Sequence, residues 1–223
     1  MIGNFGNAEV FSFHATKFFN TFEGGAVTTN DNDLAAKIRL MRNFGFADYD
    51  KVIYIGTNGK MSEVSAAMGL TSLDSLARFV DINRRHYHQY KQELADVPGI
   101  TLLEYDELER CNYQYIVLEI DEDTAGTSRD QLLSILRAEN VIARRYFYPG
   151  CHRMEPYASL FPDAYRQLPT TEFLAKRVLT LPTGETMTPA MIATICSIIR
   201  LALSNARQIT HSLRTVASPN ELS

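Results

Sequence analysis

The sequence predicts an α/β protein. Three observations predict it. Short β-rich runs recur along the chain, several longer stretches carry helical spacing, and turn-forming residues separate the two kinds. The 223 residues are 45% hydrophobic and 22% charged, ordinary values for a globular chain of one or two domains. A net charge of −4 and a pI of about 5.8 advertise no basic surface for nucleic acid or anionic lipid. Cys111, Cys151 and Cys196 are far apart and odd in number, which favours a reducing compartment and gives no disulfide or metal spacing. The opening MIGNFGNAEV has no signal-peptide pattern, and no apolar run approaches a membrane span. A cytoplasmic protein is expected.

Taken in order, residues 8–14 and 26–29 read as strands flanking a lysine-bearing turn. Asn30 to Asp33 supplies cap chemistry for a helix over about 33–43, with Leu34, Ile38 and Met41 on one face. Residues 44–61 read as a loop with one apolar segment, Val52 to Ile55, and with Gly56 and Gly59 bracketing Thr57-Asn58. Ser62 caps a long helix over about 63–95. Its small, apolar first part suits close packing, and its polar second part suits exposure. Tyr87 and Tyr90 pack, and His86 and His88, at i and i+2, share no helix face for a metal. Pro98-Gly99 breaks the helix. Strands follow at 100–103, 113–120 and 141–148. Ser128 with Gln131 forms a capping box before Leu132, Leu133, Ile135 and Leu136. A short helix is expected at 172–179, and Thr188-Pro189 opens a final one. Residues 208–223 read as a polar tail.

Residues 11–25, FSFHATKFFNTFEGG, place one lysine among five phenylalanines, beside hydroxyls and a glycine pair. Desolvation disfavours a charged amine, so Lys17 gains the nucleophilic character that a Schiff-base lysine needs. The same composition also suits a plain core segment.

The stretch SFHATKFFNTFEGG resembles the lysine motif of the DegT/DnrJ/EryC1/StrS family of pyridoxal-phosphate (PLP) sugar aminotransferases. Gly56 to Glu63 with Ala66-Ala67 is similar to the family's asparagine motif, and Arg42 to Gly45 to its RNxG stretch. Arg145 to Pro149 with His152 is similar to its small-domain segment. The resemblance implies the C-terminal part of a fold-type I aminotransferase. Residues 1–80 would be the end of the large PLP-binding domain, with a partial sheet whose exposed face is apolar. Residues 81–207 would be a small α/β domain. It implies Lys17 as the residue that holds PLP and moves the proton, and Ser12 on the cofactor phosphate. It implies Asn58 on the phosphate of a neighbouring subunit, hence a homodimer with shared sites. Lys60, Tyr146 and Phe147 would face the substrate. Many members carry arginine where Lys60 stands, so the charge is kept and the planar fork is lost.

The reaction implied is amino transfer from glutamate to a nucleotide-linked keto-deoxysugar, a 4-keto-6-deoxyhexose by the wording of the motifs. The family also has a segment before the lysine motif that holds the cofactor phosphate and ring, and only 16 residues precede Lys17. A fragment, or one half of a split enzyme, with weak PLP binding and little or no turnover alone, is therefore expected. Two rival readings are a non-catalytic remnant of such an enzyme and a PLP-dependent sugar dehydratase. Lys17 speaks against the dehydratase, because those relatives carry histidine at that position.

Overall fold

In this computed structural model the described residues are Gly3 and residues 5–209, so most of the expected tail, residues 210–223, lies outside them. The chain is mixed α/β, as the alternation of patterns predicts, and divides into two compact units, Met1–Arg78 and Phe79–Ser223.

In the first unit, β1 (Glu9–Ser12) and β2 (Gly25–Thr28) form an antiparallel hairpin in which Ser12 lies opposite Gly25. Helix α1 (Asn32–Met41) starts at Asp31, whose carboxylate accepts from the Asp33 and Leu34 amides at 2.9 Å. The stretch read as a loop holds a second small hairpin, β3 (Phe46–Asp48) with β4 (Lys51–Val52). Helix α2 (Glu63–Leu94) follows, and the Ser62 hydroxyl accepts from the Ser65 amide at 3.1 Å, the cap expected there. No helix among the described residues is long and apolar enough to cross a membrane.

No apolar side chain of the first unit is buried among the described residues. Thr21, Gly45, Gly69 and Ser72 are the buried ones. Leu34 and Ile38 of α1 are half-buried and Met41 is exposed. Val10, Ile55, Val64 and Leu70 stand largely in solvent, the apolar exposure expected of this part.

The second unit carries the apolar core. Its strands are β5 (Ile100–Leu102), β6 (Ile116–Ile120), β7 (Arg144–Arg145) and β8 (Val178–Leu181), in the antiparallel order β5-β6-β8-β7. Ile116, Leu118 and Ile120 alternate onto one buried face of β6. The helices are α3 (Glu122–Ala125), α4 (Arg129–Ala138), α5 (Tyr157–Leu160), α6 (Ala164–Gln167), α7 (Pro169–Arg177) and α8 (Pro189–Ser204). Both arms of the Ser128–Gln131 capping box form. Leu132, Leu133 and Leu136 of α4 join Ile192, Ile195 and Ile199 of α8 in the core.

Three expectations are corrected. The polar back of α2 is the buried part, and most of its small, apolar front is exposed. The polar groups there find partners. His86 Nδ1 lies 3.2 Å from Thr183 Oγ1, the Asn83 amide donates to Asn112 O at 3.4 Å, and the Tyr90 hydroxyl donates to Pro182 O at 3.1 Å. Burial holds the His86 imidazolium below the usual histidine range, with Arg85 adding repulsion. The strand expected at 141–148 shrinks to two residues, because the aromatic run after Arg145 leaves the sheet. The helix expected at 172–179 spans Pro169–Arg177, and Leu179 sits in β8 between β6 and β7. Arg177 marks the change of structure, bonding Glu119 at 2.8 Å and Asp121 at 3.1 Å.

Candidate active site

Lys17 lies in a tight turn at the end of the β1–β2 hairpin. Its amide donates to His14 O at 2.8 Å, and the Phe13 amide donates to Gly24 O at 2.8 Å, closing the base of the turn. His14 spans it: Nδ1 accepts from the Thr16 amide at 3.3 Å, and Nε2 lies 3.5 Å from a Glu23 carboxylate oxygen. Ser12 ends β1 beside the turn, and its hydroxyl accepts from the His14 amide at 3.4 Å. The rings do not enclose the lysine as composition suggested. Phe13 and Phe19 meet edge to face at 4.8 Å under the turn, Phe22 is exposed, and the Lys17 side chain is exposed.

Thr21 is the hub, a residue that sequence reasoning missed. It is 2% exposed, its amide donates to Phe13 O at 3.0 Å and its hydroxyl to Glu23 O at 3.0 Å. Its methyl faces Gly69 of α2, where an added Cβ would come within 2.9 Å. Ser72, one turn on, donates to Asn20 O at 3.4 Å. Small residues at the front of α2, Gly69 and Ser72, thus let the lysine turn sit on the helix. Gly24 closes against Thr21 and Met61, where a Cβ would lie 2.8 Å from Met61 Cε. The lysine turn and the Gly56–Met61 loop therefore meet.

That loop is zipped to the Arg42–Gly45 stretch by backbone bonds. Thr57 N donates to Met41 O at 2.9 Å, Gly59 N to Arg42 O at 2.8 Å, and Phe44 N to Thr57 O at 3.1 Å. Asn43 and Asn58 form an antiparallel bridge. Asn58 and Lys60 are exposed, and the Lys60 ammonium sits over the Phe44 ring at 4.4 Å.

The remaining candidates lie in the second unit. Tyr146 stacks between Tyr115, at 4.7 Å, and Phe147, at 4.3 Å, and Phe147 is 70% exposed. Burial and a hydrogen bond with Tyr115 push the Tyr146 hydroxyl well above the usual tyrosine range. The next ring, Tyr148, lies between the Arg129 and Arg145 guanidiniums, at 5.0 and 4.7 Å. Arg129 is buried and donates to Ala175 O and Val178 O, so it is a structural anchor.

His152 closes the segment. Its Nε2 lies 2.6 Å from Glu172 Oε1, and Arg153 bonds both oxygens of that carboxylate, at 2.7 and 2.8 Å. Arg153, then His152, lower the Glu172 carboxyl from an ordinary 4.5 to about 2. The folded state therefore gains stability from Glu172 that is complete above about pH 4.5 and disappears as pH falls towards 2. Glu172→Gln is expected to lower the urea midpoint at pH 7 and to reduce its slope with pH across that window. An unchanged slope would remove Glu172 from this role.

Residues 1–200 match the DegT/DnrJ/EryC1/StrS aminotransferase family, and the chain belongs to it. It is 35% identical over 195 residues to the dTDP-4-amino-4,6-dideoxy-D-glucose transaminase of Shigella dysenteriae, covering 87% of this chain and 52% of that protein. The Escherichia coli protein of the same name is 36% identical over 161 residues, covering 72% of this chain and 43% of its own length. Among solved structures, DesI in the presence of its TDP-sugar product superposes with a TM-score of 0.83 at 47% identity, covering 95% of this chain and 53% of DesI. The chain spans about half the length of these relatives.

Proposed function

We propose that the complete protein uses pyridoxal phosphate to transfer an amino group from glutamate to a nucleotide-linked 4-keto-6-deoxyhexose. The observation that carries this reading is the braced turn that presents an exposed Lys17 in a chain of this family. The names of the relatives support the substrate class.

The donor set fits the cofactor. A primary amine suits its aldehyde, and a hydroxyl and a carboxamide suit its phosphate. Lys17 Nζ would hold the aldehyde, Ser12 the phosphate, and Asn58 the phosphate in a neighbouring subunit of a homodimer. When bound, PLP supplies an electron sink for the carbon that loses a proton. Lys17 Nζ would take the proton from the donor Cα as general base and return a proton as general acid. His14, Thr21 and Gly24 fix the turn from which that amine works. Lys60 would meet the negative charge of the sugar nucleotide, while Tyr146 and Phe147 offer ring faces to the sugar or base.

The test is steady-state kinetics with glutamate and a dTDP-linked 4-keto-6-deoxyhexose. Parallel double-reciprocal lines and formation of 2-oxoglutarate with the amino sugar are expected, because two half-reactions share one site. Intersecting lines, or loss of water from the sugar without amino transfer, would overturn the reading.

A further inference from the structure

Phe44 is half-exposed, yet its backbone adopts φ +58°, the left-handed region that a bulky side chain avoids. Strain of this kind persists only where the surroundings over-determine it. Here they do. Phe44 N is bonded to Thr57 O, Gly45 N to Leu40 O, and the neighbouring Asn43 bridges to Asn58. A Cβ on Gly45, at φ +81°, would collide with Tyr54 O, so the loop is closed on both sides. The result is a ring under the Lys60 ammonium, 4.4 Å from Nζ to centroid. Phe46 supports the ring edge to face at 6.4 Å. Among the described residues no carboxylate pairs with Lys60.

We infer that Phe44 is a positioning residue. Its ring holds the Lys60 ammonium at a fixed site on the zipped loop, where it meets the diphosphate of a sugar nucleotide. This rests on the proposed substrate role of Lys60. A lysine ammonium is a point charge on a flexible stem, without the planar fork of arginine. A ring face beneath it restores part of the order that the fork would give. The left-handed backbone is what brings that face under Nζ.

The inference is tested on the full chain by NMR of the Lys60 Cε protons, assigned through Lys60→Gln, with inorganic pyrophosphate as the ligand. The ring current is expected to shift these protons upfield in the parent and in Phe44→Tyr, and Phe44→Leu to return them to the position of a free lysine. Phe44→Leu and Phe44→Tyr place similar demands on the backbone, so a difference between them reports on the ring. Pyrophosphate is expected to move the Lys60 signal, with an apparent Kd raised about two- to fivefold in Phe44→Leu and held within about twofold in Phe44→Tyr. An unshifted parent signal, or equal affinity in Phe44→Leu and the parent, overturns the inference alone. No pyrophosphate response in the parent, or full affinity in Lys60→Gln, removes the substrate role of Lys60 and the inference with it.

Discussion

In the complete protein proposed above, Lys17→Ala is expected to abolish the near-visible absorbance of bound PLP and to lower amino transfer by roughly 10² to 10⁴-fold from the lost proton transfer alone. The loss of the covalent anchor adds to this. The fold should be unaffected, since the Lys17 side chain is exposed and the turn is held by backbone bonds and by Thr21. Unchanged far-ultraviolet circular dichroism with a vanished absorbance band is therefore the expected pair of results. A Lys17→Ala protein that keeps the band removes Lys17 from its proposed role.

The second large effect concerns stability. Ile199 is fully buried between elements of the second unit's core, whereas Val10 of the first unit is 81% exposed. Ile199→Ala is expected to cost about 2 to 5 kcal/mol, through lost transfer energy and the cavity left behind. Val10→Ala should stay within about 0.5 kcal/mol. Urea unfolding of the two variants measures both. Comparable losses would mean that the first unit buries Val10 in solution, through association between chains.

Much of the fold was legible wherever a local rule acts alone. Asp31, Ser62, Ser128 and Thr188 all cap the helices their positions announce, because a short side chain before a periodic run meets unpaired amides. The rules failed where long-range partners decide. The polar sequence from Asn83 to Gln89 reads as surface, yet Thr183, Asn112 and Pro189 supply its partners from distant segments. Val178 and Leu179 looked like the end of a helix, and only pairing with both β6 and β7 makes Val178 to Leu181 a strand.

The site divides in the same way. Lys17, Ser12, Asn58 and Lys60 are candidates that the motif wording proposes. The structure adds what holds them: the burial of Thr21, its seat on Gly69, and the loop-to-loop bonds around Asn43 and Gly59. Their sequence signal is no more than the smallness of Gly59, Gly69 and Ser72, because close approach between segments distant in the chain leaves no local period. The aromatic wording also misled. Five phenylalanines suggested an enclosed lysine, but Phe13 and Phe19 pack on each other beneath the turn and leave Lys17 outside.

The central claim is that the Lys17 amine is the one that holds the cofactor aldehyde. The most direct measurement is borohydride reduction of the PLP-loaded protein, followed by mass mapping of its peptides. The pyridoxyl phosphate mass is predicted on the peptide carrying Lys17. An adduct confined to any other lysine of the chain would contradict it.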